Sequence, residues 1–240
     1  MHHDDQSPAL LQPHPGVHFI LAGLYCLEMS LAELLTTAIA ALPPRRDRAR
    51  QLAPELAYGR HRGPAATSAR RAAVAIAILQ RPDGSMFVPL TTRPKSLKHH
   101  GGQVSLPGGQ VEPGESDLQA AMREFQEELG VSLETAICCG SLPPIYVYAS
   151  DHLVSPLVLV GEAPRQAWQP DLLEVDRVIE IPLEVLRHKA YWEQVSRSRF
   201  LTRDLTTVGE FMFRAPAIRF QEHRIWGATA MLLTELADIL

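Results

Sequence analysis

The sequence contains few cysteines, and their spacing excludes two common classes of small-domain scaffold. Of 240 residues only three are cysteine: Cys26 stands alone, while Cys138 and Cys139 are adjacent. An odd count with no CxxC spacing predicts neither a disulfide framework nor a zinc site. Reduced thiols are typical of a reducing compartment, so we expect a cytoplasmic protein.

The sequence also lacks an excess of basic residues. Lysine and arginine number 23 against 27 aspartate and glutamate residues, which gives a formal net charge of −4. A protein that binds nucleic acid normally carries a basic excess, so we expect no nucleic-acid partner. A small anionic substrate would instead need a local basic patch or a bound metal ion.

Long hydrophobic runs are absent as well. The longest apolar stretch, residues 17–27, is too short to span a bilayer. Asp4 and Asp5 precede it where a signal peptide would carry basic residues, so we expect neither membrane insertion nor export. Met29 opens a well-patterned helix, and residues 1–28 are therefore interpreted as a disordered extension or a misassigned start.

Residues 29–70 are predicted to form an N-terminal helix followed by a linker. Ser30 and Glu33 have capping-box spacing, and Pro43 would stop the helix. Residues 43–71 then carry eight arginines. We interpret them as a solvated linker, with a phosphate-attracting surface as the alternative.

The main domain is predicted to cover residues 71–240 and to alternate strands with helices. A continuous apolar run at 72–79 is typical of a buried strand, and a helix over 118–129 ends at Gly130. Further strands are expected at 86–93, 135–142, 145–148, 154–161 and 178–181, extended segments at 211–213 and 217–220, and helices at 182–187 and 229–240. This order predicts an α/β fold with a mixed sheet between helices.

Three carboxylates lie on one face of the predicted helix 118–129. At about 100° per residue, Glu124, Glu127 and Glu128 share an arc of roughly 100°. Like charges at this spacing destabilise an isolated helix, whereas a divalent cation would convert the repulsion into binding. Hard oxygen ligands suit Mg²⁺ or Mn²⁺. Taken alone, the pattern is more typical of a solvated acidic face, because glutamate is a good helix former and common on surfaces.

The residues around these carboxylates resemble the box of the Nudix hydrolase family, G-x5-E-x7-R-E-U-x-E-E-x-G-U, where U is a bulky apolar residue. Every specified position is filled, by Gly109, Glu115, Arg123, Glu124, Phe125, Glu127, Glu128, Gly130 and Val131. The resemblance implies a Nudix-type α/β/α sandwich. In it a loop–helix–loop would hold a metal ion, through Glu124, Glu127 and Glu128, against the diphosphate of a small nucleotide.

The same resemblance implies roles for other residues of the box. Arg123 and Glu115 would pair and brace the loop, and Gly109 would permit a backbone shape that a side chain would obstruct. A carboxylate would deprotonate the attacking water. The sequence leaves that base open between Glu127 and an acidic residue outside the box such as Asp151.

The segment before the box resembles an extra motif of the Nudix coenzyme A diphosphatases, L-L-T-x-R-[S/A]-x3-R-x3-G-x3-F-P-G-G. Agreement is found at Leu90, Thr91, Arg93, Gly102, Pro107, Gly108 and Gly109. Four positions depart from the motif: Pro89, Pro94, Lys98 and Leu106. The resemblance implies cleavage of coenzyme A or acyl-CoA into 3′,5′-ADP and (acyl-)4′-phosphopantetheine.

Substrate-binding residues follow from that motif. Arg93, Lys95 and Lys98 are candidates for binding the 3′-phosphate, and Gly102, which fills a motif position, is a further candidate for substrate binding. Lys98 keeps the positive charge but lacks the bidentate fork of arginine. Lys95 is equally typical of a loop lysine that serves solubility.

Two other hypotheses remain. The four departures support a Nudix enzyme acting on NADH, ADP-ribose or a dinucleoside polyphosphate. A non-catalytic nucleotide-binding regulator would be expected to show a damaged box, and this box is complete. The expected partner is a small nucleotide substrate, with a second copy in a homodimer as an option that the sequence does not test.

Overall fold

The computed structural model describes residues 29–42, 65, 67–94, 102–147, 150–203 and 206–240. The predicted extension 1–28 and most of the Arg-rich linker lie outside these ranges. Within them the helices are α1 (Leu31–Ala40), α2 (Asp117–Leu129), α3 (Leu183–Arg187) and α4 (Ala228–Ala237), with a 3₁₀ turn at Lys189–Tyr191. In this described part, no helix is long and apolar enough to cross a membrane.

The strands of the described ranges form two sheets. They are β1 (Arg70–Gln80), β2 (Met86–Thr92), β3 (Val104–Ser105), β4 (Gly108–Gln110), β5 (Ile137–Ser141), β6 (Ile145–Val147), β7 (His152–Glu162), β8 (Arg177–Pro182), β9 (Trp192–Arg203), β10 (Thr206–Phe220) and β11 (His223–Trp226). The larger sheet has the order β3-β2-β1-β7-β5, with β4 paired to β1, β6 to β7 and β8 to β2. Strands β1 and β7 are parallel, and the other pairs are antiparallel. The predicted mixed sheet is confirmed.

Strand β1 is buried on both faces, which explains why its sequence is continuously apolar rather than alternating. On one face Ala75 and Leu79 pack with Phe125 of α2. On the other face Ile76 and Ile78 belong to the cluster that includes residues of α1, α3 and α4. The sheet therefore lies between two helical layers, as the predicted α/β/α sandwich requires.

Helix α1 begins with the predicted capping box. The Glu33 carboxylate accepts from the Ser30 backbone N–H (2.8 Å), and Ser30 Oγ accepts from the Glu33 N–H (3.3 Å). Leu35 is 1% exposed and belongs to the core cluster on the α4 side of the sheet. The N-terminal helix is therefore part of the main core.

The second sheet corrects the interpretation of the C-terminal third. The sequence predicted two short extended segments, 211–213 and 217–220, whereas the structure joins them in the single strand β10. Strand β10 pairs along its length with β9, which was not predicted, and its end pairs with β11. Strand β9 (WEQVSRSRFLTR) shows no clean apolar alternation, so its pairing in a hairpin, and not a hydrophobic face, defines it.

Candidate active site

Helix α2 presents the acidic face of the site. Ser116 caps its N-terminus in a second capping box with Gln119, and Gly130 ends it in the left-handed conformation (φ 69°). Phe125 and Leu129 are fully buried against the sheet. Because these residues fix which side of the helix faces the core, the glutamates are turned toward the glycine-rich segment before it.

Arg123 connects the loop to the helix. Its Nε donates to Glu115 Oε1 (3.0 Å), and its Nη2 donates to Glu115 Oε2 (3.2 Å) and to the Gln110 carbonyl (3.1 Å). Its Nη1 donates to Glu124 and Glu127, at 2.9 Å each. The hydrogen bond to Arg123 lowers the pKa of Glu115, and Glu115 in turn raises the pKa of Arg123. This network holds the predicted pair together and fixes the loop against α2.

Glu128 is the most buried carboxylate of the site. Glu128 is 8% exposed, and its Oε2 has no hydrogen-bond partner among the described residues. Burial raises the pKa of Glu128 to about 7, opposed by a hydrogen bond to the Gly108 backbone and, more weakly, by Arg93. A carboxylate in this position is expected to gain from a cation.

Glu124 and Gly109 are in close contact. A Cβ on Gly109 would lie 2.4 Å from Glu124 Oε1, and one on Gly108 would lie 2.3 Å from the Ala73 carbonyl oxygen. Burial raises the pKa of Glu124 as well. Two glycines therefore allow β4 to pass between β1 and the carboxylates of α2.

The donor set was tested for its fit to a divalent cation. No three carboxylate, histidine or cysteine side chains of the described ranges lie close enough together to hold an ion by themselves. Glu124 and Glu127 are both bound by Arg123. Mg²⁺ typically takes one or two carboxylates and completes its shell with substrate phosphates. The unpartnered, buried oxygen of Glu128 and the neighbouring Glu124 fit that requirement.

Arg93 reaches the site from the end of β2. Its N–H donates to the Gln103 carbonyl (3.1 Å), and the Gly102 N–H donates to the Arg93 carbonyl (2.9 Å). These two bonds join Arg93 to residues 102 and 103. Lys95 and Lys98 come between them in the sequence and lie outside the described residues. The Arg93 Nε is buried and has no hydrogen-bond partner in the described part of the chain. The predicted residues Arg93 and Gly102 are thus neighbours.

A cavity of about 360 Å³ lies beside these groups. Arg93, Glu128, Gly108 and Gly109 line it together with residues that the sequence did not identify as a site. These include Ala72 and Val74 of β1, Ser105 of β3, Val147 of β6, His152 and Val154 of β7, Trp226 at the end of β11, and Gly227 and Thr229 at the start of α4. Three segments that contain some of these residues, 142–147, 153–156 and 225–230, resemble the coenzyme A diphosphatase subfamily in sequence.

Asp151, the alternative base, occupies the turn before β7. It has a positive φ of 52°, and its Oδ1 accepts a hydrogen bond from the Tyr146 hydroxyl (2.7 Å). Its neighbours Ser150 and His152 line the cavity. The site roles of Asp151 and Glu127 both remain predictions.

Comparison with known proteins decides the family. A model of the NUDIX domain matches residues 69–201, which include the whole of α2 and the loop before it. The chain belongs to the Nudix hydrolase family. Nudix hydrolases cleave pyrophosphate bonds in small nucleotide substrates and generally use divalent metal ions, so the chain is a hydrolase of that kind.

Two relatives and one solved structure are similar to the chain. The chain is 35% identical to the mitochondrial coenzyme A diphosphatase NUDT8 of Mus musculus, over 57% of the chain and 61% of that relative. It is 31% identical to the uncharacterized Nudix hydrolase NudL of Photorhabdus laumondii, over 70% of the chain and 84% of that relative. A crystal structure of RenU, a Nudix hydrolase from M. Smegmatis, superimposes with a TM-score of 0.41 at 20% identity, covering 48% of this chain and 71% of that chain.

Proposed function

We propose that this Nudix hydrolase cleaves the diphosphate of coenzyme A or acyl-CoA, releasing 3′,5′-ADP and (acyl-)4′-phosphopantetheine. The proposal is supported by the motif before the Nudix box and by the similarity to a relative named as a coenzyme A diphosphatase. The observation that carries it is the position of Arg93. This motif residue lines the same cavity as Glu128, and its buried Nε has no hydrogen-bond partner among the residues that the structure describes.

Two of the four departures from the motif lie in the core. Pro89 is buried within β2, and Leu106 is 4% exposed in the core cluster on the α4 side. Both are apolar residues at buried positions, so they replace one packing side chain by another. These two departures therefore leave the charge of Arg93 in the cavity unchanged.

A divalent cation, held through Glu124 and Glu128, would neutralise the diphosphate and favour deprotonation of the attacking water. Glu127 is the carboxylate that we propose as the base, because its side chain is 60% exposed and can pass a proton to solvent. Arg123 holds Glu127 in place through a 2.9 Å hydrogen bond.

Arg93 is proposed to bind the nucleotide half of the substrate. A guanidinium offers several donors in a fixed plane, and this geometry matches phosphate oxygens. A phosphate would satisfy the buried Nε that has no partner in the described residues. Substrate binding would thereby be coupled to the carboxylates of α2, since Arg93 and Glu128 already interact electrostatically.

The test compares substrates that differ at the 3′-phosphate. With Mg²⁺ or Mn²⁺, the wild-type protein should cleave coenzyme A with a higher kcat/KM than NADH or ADP-ribose. Arg93→Ala should raise KM for coenzyme A more than for dephospho-CoA, which lacks the 3′-phosphate. Equal KM changes for the two would remove the role of Arg93 in 3′-phosphate binding. Cleavage of NADH or ADP-ribose with coenzyme A untouched would establish the alternative substrate class.

A further inference from the structure

The cavity beside Glu128 continues over the α4 side of the main sheet. Its floor there is formed by small apolar side chains of three strands, Ala72 and Val74 of β1, Val147 of β6 and Val154 of β7. The three valines are only partly buried. Partly exposed valines beneath a concave surface favour a ligand segment that is itself uncharged.

The strand register gives the length of this floor. Gly108, which binds Glu128, is paired with Val74, and His152 is paired with Arg70 on the opposite edge of β1. Four residues along a strand span about 13 Å, and two strand spacings span about 10 Å. The backbone of Gly108, beside Glu128, is therefore about 16 Å from that of His152.

The end of the floor that lies away from Glu128 is formed by the turn that contains Asp151. Asp151 adopts a left-handed backbone conformation that disfavours most side chains, and the Tyr146 hydroxyl binds its carboxylate. Arg70 fixes the same turn twice, through its N–H to the Asp151 carbonyl (3.0 Å) and its Nη2 to the Ser150 carbonyl (2.7 Å). This turn places the two polar residues at the end of the floor, Ser150 and His152.

We propose that this floor is the subsite for the pantetheine arm of the substrate, that His152 binds the arm at its far end, and that Asp151 is a positioning residue for His152. The proposal rests on the proposed function and deepens it, because it assigns the two halves of coenzyme A to opposite ends of one cavity.

The chemistry of the two halves decides the orientation. The arm is uncharged and alternates aliphatic groups with amides, and its about 13 bonds extend to about 16 Å. The nucleotide half carries a 3′-phosphate, whose burial on an apolar floor would be unfavourable without a paired charge. Arg93 provides that charge at the opposite end. At the far end of the arm, an imidazole can accept a hydrogen bond from the terminal thiol or donate one to the carbonyl of its acyl thioester.

The experiment measures binding of the two products separately, by titration calorimetry on the full chain with Mn²⁺. His152→Ala removes the polar end, and Val154→Phe fills the floor. Each should weaken binding of 4′-phosphopantetheine by about tenfold, the value of one hydrogen bond or of a blocked contact, and should change binding of 3′,5′-ADP by less than about twofold. Glu162→Ala, at the exposed opposite end of β7, is the control and should change neither.

A second pair of variants tests the positioning role. Asp151→Ala should weaken 4′-phosphopantetheine binding as His152→Ala does. Asp151→Asn should restore it, because asparagine tolerates the left-handed conformation and still accepts a hydrogen bond from Tyr146.

The outcomes separate the inference from the proposed function. Failure of the wild-type protein to cleave coenzyme A would overturn the proposed function. Cleavage of coenzyme A, with binding of both products weakened equally or unchanged in the His152 and Val154 variants, would overturn the subsite alone. Selective loss of 3′,5′-ADP binding would reverse the orientation and contradict the inference as well.

Discussion

Glu128 differs from an ordinary helix glutamate in its surroundings. It is buried, one carboxylate oxygen has no partner in the described residues, and its pKa is raised to about 7. An unfolded glutamate titrates near 4.5. The folded state therefore binds this proton more tightly than the unfolded state does. The carboxyl group contributes its full stabilisation below a pH of about 4.5, and this contribution is lost as the pH rises through about 7.

This linkage gives a prediction for the metal-free protein. In EDTA, the free energy of unfolding of the wild type should fall between pH 5 and pH 8, and Glu128→Gln should flatten that fall. At pH 8 the variant should be more stable by up to about 3 kcal/mol. Urea unfolding at both pH values measures it, with Glu134→Gln, an exposed glutamate, as the control. Parallel pH dependences of Glu128→Gln and wild type would contradict the burial of this carboxylate.

Gly109 gives a second prediction at the scale of the residue. Gly109→Ala would force the Glu124 carboxylate away, since the new Cβ would lie 2.4 Å from its oxygen. We expect kcat to fall by about 10²-fold, because misplacement by about 1 Å at a catalytic group has that effect. Gly114→Ala, whose Cβ would meet nothing within 4 Å although its positive φ (85°) adds backbone strain, is the control for the steric effect. Equal activities of the two variants in a diphosphatase assay would exclude the steric argument.

At the scale of the element, the C-terminal end of α2 joins the catalytic helix to the segment after β7. The Gln169 N–H donates to the Leu129 carbonyl and the Asp171 N–H to the Glu128 carbonyl, at 3.1 Å each. Gly130 follows Leu129 and adopts the left-handed conformation. A Cβ on Gly130 would be 2.6 Å from the Gln169 carbonyl oxygen. This end of the helix has no room for a side chain.

Gly130→Ala should therefore cost more stability than the backbone conformation alone requires. Gly84→Ala has a similar positive φ (86°) but would place its Cβ in free space. Left-handed strain contributes about 1 kcal/mol in both variants, and the clash adds to it only at Gly130. Thermal unfolding should show the larger decrease in Tm for Gly130→Ala. A decrease equal to that of Gly84→Ala would show that the contact with Gln169 yields without cost.

Elements with local signals could be predicted from the sequence. Helices α1 and α2 carry capping boxes, and β1 is a continuous apolar run, so their limits were found within two residues. Strand β9 has no such signal because its stability comes from pairing with β10. The residues of the cavity wall could not be predicted from local patterns either, because only the fold brings His152 and Thr229 to the same cavity.

At the scale of the whole molecule, the N-terminal helix contributes to the core that supports the sheet. Leu35→Ala should destabilise the protein by about 2–5 kcal/mol, because Leu35 is 1% exposed. Leu34→Ala, on the same helix but only partly buried, should cost less. Denaturant unfolding measures both. Equal small losses would mean that α1 is a dispensable addition to the main domain.

The carboxylates of α2 also predict how the whole enzyme depends on metal. Removal of divalent ions with EDTA should abolish diphosphatase activity, and excess Mg²⁺ or Mn²⁺ should restore it, since the carboxylates of Glu124 and Glu128 and the diphosphate need a shared counter-charge. Unfolding in EDTA serves as the control that the protein remains folded. Full activity in EDTA would contradict the metal requirement.

The central claim is that Glu128 lies at the centre of a site that cleaves coenzyme A between the two phosphates of its diphosphate. Its most direct test is to incubate the wild-type protein and Glu128→Gln with coenzyme A and Mg²⁺ or Mn²⁺, and to identify the products by chromatography and mass spectrometry. We predict that the wild type releases 3′,5′-ADP and 4′-phosphopantetheine and that the variant, although folded, releases neither at a comparable rate. Intact coenzyme A after incubation with the wild type, or equal product formation by the variant, would contradict the claim.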